Sequence, residues 1–537
     1  MPLFDNGQAF FVHIPRCGGT SIEAELGIQR AHLHNCRLED YVEEKDRLCM
    51  GNTPAPGPGT RAFELDHATA AMIRARVPDI DDKFVFAVVR NPYDRLASEF
   101  CYQQEKGSRK VQGIRTDSFA NFVRSLHDAW PSILSHPNHW KVSHLLPQHL
   151  FTDGLSVKLY RTETLASDWQ DICFRLRRRM SRLPRLNGSR RLPQYTQELA
   201  DLVFSIYHRD FAQLSYDRHS WRPDNALSHV LVDNTNVHFH YEILESIMGD
   251  MLPAVAWPRR VSAGRTRLTV ALHSAVEHDA AWSSLLRYLR QQWGARLTLV
   301  FGQESLPEHC DLHVFATTYP TDLEVLGARA RAPQHRFIMH RYDGGAAPAA
   351  HCFWLAPHLA GPWFIPTQLP FAAVPRLRPG RPVVVVQGSL DRRSWTGLAS
   401  VLSDARGWFA KHPFTLRIVG RGAALPDELA RYRSIIDLRL NLDFISFHRA
   451  FDDACAVMAC INRQDEPTYF TSRLSSSVSY AVAYGLELIC CEELAALYHM
   501  PAAKTLRQVV EGYYASARHL TRRGVTRPIR PAAPHRC

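Results

Sequence analysis

The sequence predicts an α/β protein with parallel sheets in more than one domain, and three observations predict it. The first is the stretch Phe10–Ser21, FFVHIPRCGGTS, where a short apolar run meets a glycine turn and then a helix start. The second is the same strand–turn–helix grammar in KFVFAVVRNPYDRLASEF, residues 83–100. The third is the long segment from Arg267 to Cys491, where apolar strand-like runs alternate with helical ones, the pattern of parallel sheets covered by helices. At 537 residues the chain is too long for one core, so two or three domains are expected.

Composition narrows the class. With 45% hydrophobic and 22% charged residues the chain is an ordinary globular protein, neither fibrous nor disordered. A net charge of +11 and a pI near 9.1 suit anionic ligands. Nucleic acid is not an expected partner, because no DNA- or RNA-binding module is recognised. No run of 18 apolar residues is present, so no transmembrane segment is expected. The first strand begins almost at the N-terminus, with no signal peptide in view. The chain as given therefore suits the cytoplasm, or a lumenal compartment if a leader precedes it. Twelve cysteines are scattered, with Cys490 and Cys491 adjacent and no CxxC pair. They read as mostly buried thiols in a reducing compartment, with no zinc or other metal site.

In chain order, Phe10–Val12 is a short buried strand ended by Pro15. Gly18 and Gly19 allow a tight turn, and Thr20 and Ser21 open a helix that continues IEAELG. Amides at a helix start beside glycines form an anion cradle, to which the two hydroxyls add donors and Arg16 a fixed charge. The spacing is not GxxxxGK[ST], so nucleotide triphosphate hydrolysis is not indicated. Residues 31–60 read as a polar surface loop. A helix follows in LDHATAAMIRARVPDI, with His67 at or just before its first turn, where the helix dipole favours the neutral imidazole that a general base needs. Phe84–Val89 is a second buried strand. Arg90 stands at its carboxyl end, where open α/β sheets bind ligands. Asn91 can cap the next helix and Pro92 fits its first position. Arg90 and Ser98 together can hold one phosphate. Each segment also has a plain alternative: a glycine turn, a surface histidine, a salt-bridged arginine.

The first stretch resembles the 5′-phosphosulfate loop of carbohydrate sulfotransferases, close to HIPKTGGTS, with Arg16 in place of Lys and Cys17 in place of Thr. The second resembles the same family's 3′-phosphate motif, close to VRNPYDRLxSxF. DHATA resembles the segment carrying the catalytic histidine, as in heparan sulfate 6-O-sulfotransferases. HLLPQHLF (144–151), VKLYRTETLASDWQDI (157–172), LPRLNGS and the helix ending near Asp217 extend the likeness over residues 8–217. The resemblance implies a P-loop-like sulfotransferase fold and 3′-phosphoadenosine 5′-phosphosulfate (PAPS) as sulfuryl donor. Arg16, Cys17, Gly18, Gly19, Thr20 and Ser21 would bind the donor's 5′-phosphosulfate, and Arg90 and Ser98 its 3′-phosphate. Arg16 would meet the charge on the leaving oxygen in place of the lysine, and His67 would take the proton from a glycan hydroxyl. No metal enters this scheme.

The later part begins with residues 218–265, read as a helical or extended connector. RLTVAL, RLTLVF, DLHVFA and HRFIMHRY are strand-like, and a Pro-rich bridge follows at 355–382. A second alternation then runs through PVVVVQGS, FTLRIVGRG, AVMACINR, SSSVSYAVAYG and LELICC. Two such halves resemble the GT-B fold of nucleotide-sugar glycosyltransferases, with Gly388 after the first strand of the second half. The family's ribose-binding Glu falls on Tyr480 and its phosphate-binding Lys near Thr396, with Arg392 or Arg393 as substitutes. The expected division is a sulfotransferase domain at 1–222, a connector with the first Rossmann-like half at 223–375, the second half at 376–520, and a basic, disordered tail at 521–537. The function this implies is sulfation of a carbohydrate by a chain with a fused GT-B-like module. A bifunctional sulfotransferase/glycosyltransferase and a non-catalytic glycan-binding protein are the alternatives.

Overall fold

The computed structural model describes residues 3–4, 8–26, 67–106, 111, 113–135, 142–181, 183, 192–237, 240–262, 264–303, 306–326, 332–341, 351–355, 363, 365–366, 381–390, 395–404, 406–500 and 504–522. The loop at 31–60, Arg392 and Arg393, the tail beyond 522 and most of the Pro-rich bridge lie outside them.

Three sheets organise these residues. The first contains β1 (Leu3–Phe4), β2 (Ala9–Val12), β3 (Phe84–Val89) and β4 (Val157–Arg161), in that spatial order. β1 is antiparallel to β2, and the β2–β3 and β3–β4 pairs are parallel. Around them lie α1 (Gly19–Glu25), α2 (Ala70–Arg76), α3 (Pro92–Lys106), α4 (Phe119–Ser135), α5 (Leu165–Arg175) and α6 (Gln197–Gln213). β3 is apolar at every position because helices cover both faces of a parallel sheet. Phe86, Ala87 and Val89 are fully buried, and removing such an aromatic side chain from water contributes about 1.5–3 kcal/mol.

The second sheet has β5 (His229–Asn234), β6 (Arg267–Leu272), β7 (Leu297–Phe301), β8 (Leu312–Thr318), β9 (His335–Met339) and β10 (Cys352–Trp354), with α7 (Ala280–Trp293) among its crossovers. Its spatial order is β10-β9-β8-β5-β6-β7, parallel at every pairing. Counted from its own first strand this is the 3-2-1-4-5-6 order of a doubly wound sheet. The third sheet has β11 (Val383–Ser389), β12 (Thr415–Arg421), β13 (Ile436–Leu440), β14 (Ala454–Met458) and β15 (Glu487–Ile489) in the order β13-β12-β11-β14-β15, again all parallel. Its helices include α8 (Thr396–Asp404), α9 (Phe444–Arg449) and α10 (Ser476–Tyr484). The run VVVV in β11 sends Val383 and Val385 into one apolar cluster and Val384 and Val386 into another on the opposite face.

The mixed α/β class and the two doubly wound halves agree with the sequence reading. The connector does not: residues 229–234 form the central strand of the second sheet. HVLVDN is only six residues long and is flanked by polar ones, too short for periodicity to separate it from a linker. Edge strand β13 carries no buried-strand signature, because IDLRL is half-exposed along its whole length. Among the described residues the cysteines are free thiols, with Cys17, Cys173 and Cys352 buried and the others partly so. Among those residues no helix is long and apolar enough to cross a membrane.

Candidate active site

The site lies at the carboxyl edge of β2 and β3. After β2 the chain turns through Pro15, Arg16 at φ 66° and Gly18 at φ 85°. The left-handed backbone at Arg16 is uncommon for a side chain with a Cβ and marks a conformation imposed by its surroundings. Gly18 caps α1, whose first backbone bond runs from the Ser21 amide to the Gly18 carbonyl at 3.1 Å. The amides of Gly19 and Thr20 therefore precede the helical ladder. A Cβ on Gly19 would lie 2.3 Å from His13 Nε2, so the close approach of that ring demands glycine there. Ser21 is buried and Thr20 partly exposed.

Arg16 is held from three sides. Its Nη2 and Nε donate to Ser98 Oγ at 2.9 and 3.3 Å. Its guanidinium lies 4.6 Å from the centre of the Tyr102 ring, and its carbonyl accepts from Arg90 Nη1 at 3.1 Å. Burial lowers the Arg16 pKa, partly offset by Glu99, while the like charge of Arg90 lowers it further. The structure thus brings Arg16, Arg90 and Ser98 together, but it pairs Ser98 with Arg16 rather than with Arg90.

The neighbours of Arg90 explain its fixed place. Its amide donates to Gln148 Oε1 at 2.8 Å and its carbonyl accepts from Gln148 Nε2 at 2.8 Å. The Cys17 thiol donates to Gln148 and to the Pro15 carbonyl. Burial pushes that thiol up to about 12, so Cys17 acts as packing and not as a nucleophile. Gln148 is positioned by Asp210 of α6, whose carboxylate accepts from the amides of Gln148 and His149. Asn91 caps α3 by accepting from the Tyr93 amide at 3.0 Å, and its own amide donates to Glu163 at 2.7 Å. Buried Arg95 donates to the carbonyls of Pro15 and His144, fixing both loops to α3. Beside Asn91 a cavity of about 330 Å³ runs to Trp257 and Arg259.

His67 lies two residues before Thr69, which caps α2 by accepting from the Met72 amide. It is therefore outside the first turn, and the dipole argument for its neutrality weakens. What surrounds it is more imidazole. The His13 and His67 rings meet edge-on at 4.9 Å, and those of His67 and His144 at 4.8 Å. His67 Nδ1 is 3.3 Å from the His13 carbonyl oxygen, and its Nε2 is 3.2 Å from His144 Nε2. Each outer histidine has a carboxylate: His13 Nδ1 lies 2.5 Å from Glu23 of α1, and His144 Nδ1 lies 2.8 Å from Glu99 of α3. Burial pushes the Glu99 carboxyl up, but His144, the Gln103 amide and Arg16 together hold it below its ordinary value. Among the described residues no cluster of His, Cys, Asp or Glu has the geometry to hold a metal ion.

Sequence reasoning missed His13, His144, Glu23, Glu99, Gln148 and Arg95. All six lie in segments the sequence singles out: His13 in FFVHIPRCGGTS, Glu23 in IEAELG, Arg95 and Glu99 in RNPYDRLASEF, and His144 and Gln148 in HLLPQHLF.

Residues 4–217 match the model described as the Sulfotransferase family. No curated protein matches the chain. Among solved structures, a UDP-N-acetylglucosamine 2-epimerase from Listeria monocytogenes is similar over 55% of this chain and 89% of its own, at 10% identity and a TM-score of 0.32. A UDP-bound MnaA from S. aureus is similar over 55% of this chain and 87% of its own, at 9% identity and a TM-score of 0.29. A UDP-glucosyltransferase from Polygonum tinctorium is similar over 54% and 88%, at 11% identity and a TM-score of 0.28.

Proposed function

We propose that this protein transfers a sulfuryl group from PAPS to a carbohydrate hydroxyl. The observation that carries the reading is the convergence of Arg16, Arg90 and the Gly18–Gly19 turn on one sheet edge, with His67 beside them, inside the segment that matches the Sulfotransferase family.

The residues suit a phosphosulfate nucleotide. Gly19 has no side chain to fill the turn, two guanidiniums stand beside it, and the cluster's carboxylates, Glu23 and Glu99, are held by His13 and His144. Bound PAPS supplies an activated sulfuryl group. Gly18, Gly19, Thr20 and Ser21 would hold its 5′ end through amides and hydroxyls, and Arg90 its 3′-phosphate. Ser98 would add its hydroxyl while positioning Arg16. Arg16 brings a permanent charge to the turn where negative charge develops, a contribution of the kind oxyanion donors make. His67 would remove the acceptor proton.

The later residues form two doubly wound halves, which we assign to 223–375 and 376–520, after a sulfotransferase unit at 1–222. We read them as a glycan-positioning module without sugar transfer of its own. Tyr480 supports this, because it is buried in the core of the third sheet between Phe447 and Phe451. A phenol there offers a ribose diol no paired acceptors.

The donor assignment is tested by calorimetry of the full chain with adenosine 3′,5′-bisphosphate and with AMP. The bisphosphate should bind at least tenfold more tightly; equal affinities would remove Arg90 from the 3′-phosphate and with it the case for PAPS.

A further inference from the structure

The two neighbours of His67 require opposite tautomers. A carbonyl oxygen only accepts, so the 3.3 Å contact with the His13 carbonyl is a hydrogen bond only when Nδ1 carries the proton. At the other nitrogen, His67 Nε2 faces His144 Nε2 at 3.2 Å, and one of the two must donate. Glu99 decides which. It is 1% exposed and accepts from His144 Nδ1 at 2.8 Å and from Gln103 Nε2 at 2.9 Å. An ionised carboxylate can only accept. It therefore fixes the proton of neutral His144 on Nδ1, which leaves His144 Nε2 as an acceptor. With His144 neutral, His67 donates from Nε2, and its Nδ1 becomes the basic nitrogen.

We propose that Glu99 and His144 are positioning residues that set His67 as the Nε2–H tautomer, so that Nδ1 is the atom that takes the proton of the acceptor hydroxyl. The inference rests on the assignment of His67 as the base. An arriving hydroxyl would replace the His13 carbonyl at Nδ1, a contact already long for a hydrogen bond. On deprotonation the acceptor O–H bond breaks, the proton binds Nδ1 and the electron pair stays on the oxygen for its new bond. The imidazolium so formed keeps Nε2–H shared with His144, whose Nδ1–H remains on Glu99, so no proton has to leave the cluster. The buried anion two rings away stabilises that cation. Arg95, donating to the His144 carbonyl, and Arg16, held by Ser98 one residue before Glu99, keep the chain of three side chains in register.

The test is nitrogen-15 NMR of the histidine rings in the full-length protein, with turnover measured alongside. The charged and titratable groups facing this cluster are His13 just after β2, Glu23 from α1, Arg16 from the turn, and Arg95, Glu99 and Tyr102 from α3, so the assignment uses single-residue variants and not pH alone. The native protein should show His67 protonated at Nε2 and bare at Nδ1 above the pH of its titration. Glu99→Gln should shift His67 toward the Nδ1–H form. It should lower turnover by up to about 10⁴-fold, the loss that follows when the tautomer-setting carboxylate of a Ser-His-Asp triad is replaced by its amide, with bisphosphate affinity unchanged. It should also move the acid limb of the rate profile to lower pH, since the anion that favours the protonated ring is gone. Glu99→Asp should recover part of the rate. If Glu99→Gln does not fold by circular dichroism, His144→Gln serves in its place. A native His67 protonated at Nδ1 would overturn the proposal whether or not His67 is the base. So would a Glu99→Gln protein with the native tautomer and native turnover. Loss of the base assignment itself would appear separately, as full activity in His67→Ala.

Discussion

The first and third sheets both carry buried histidines and treat them oppositely. At the first sheet His13, His67 and His144 stand in contact, and the outer two are paired with the buried carboxylates Glu23 and Glu99. At the third sheet His448 is packed among Phe444, Phe447 and Tyr480, and Tyr484 hydroxyl lies 2.7 Å from its Nδ1. Burial without a carboxylate drives His448 down to about 3, fixing it as a neutral core residue. The glycines differ in the same way. Gly19 yields to a histidine ring at the mouth of a turn, whereas a Cβ on Gly420 would lie 1.7 Å from the Gly388 carbonyl of the neighbouring strand. Strand–glycine–helix grammar is common to both sheets. What separates a reactive edge from a structural one is whether buried charges surround it.

That contrast can be broken by substitution. His67→Ala should cost turnover on the order of 10²–10⁴-fold, the worth of a positioned base, with nucleotide affinity intact; the native rate should rise through the mildly acidic range. An unchanged rate in His67→Ala would make the first sheet's histidines as structural as His448.

Arg16→Ala should lower turnover on the order of 10²–10³-fold, as loss of a transition-state donor does, while Arg16→Lys keeps or raises it. Single-turnover rates at saturating donor separate this from binding, and a normal rate in Arg16→Ala would move the charge-stabilising role elsewhere.

Arg90→Ala should weaken adenosine 3′,5′-bisphosphate by roughly tenfold to a hundredfold, since one charge-assisted contact contributes about 1.5–3 kcal/mol. AMP should be little affected. Equal losses for both ligands in calorimetry would contradict the 3′-phosphate assignment.

The smallest effect on ligand binding is expected at the third sheet. Tyr480→Ala should cost about 3–5 kcal/mol of stability, as deletion of a buried aromatic does, read as a lower urea midpoint. It should leave bisphosphate affinity as it was. The native protein should release no UDP or GDP from nucleotide sugars; release that disappears in Tyr480 variants would restore a catalytic role to this half.

The elements that a local pattern specifies were legible in the sequence. The β3 run, the Asn91 cap, Pro92 and the glycine turn each announce themselves within a few residues, and both arginines sit in those patterns. The histidine cluster was not legible in full, because His13 with Glu23, His67, Glu99 and His144 come from four separate segments joined only by the fold. His67 was found by resemblance, and its environment by contact. β5 was hidden for another reason: a central strand of six residues between polar neighbours has the local pattern of a linker, and only its partners β6 and β8 on either side define it.

The central claim is sulfuryl transfer at the first sheet. It is tested most directly by incubating the full-length protein with labelled PAPS and a panel of glycans, beside His67→Ala and Arg90→Ala. The account predicts label on at least one glycan hydroxyl with the native protein, strongly reduced in His67→Ala at saturating donor and restored toward native in Arg90→Ala by raising PAPS. Binding of glycan and bisphosphate without any transfer of label would contradict it and leave a glycan-binding protein.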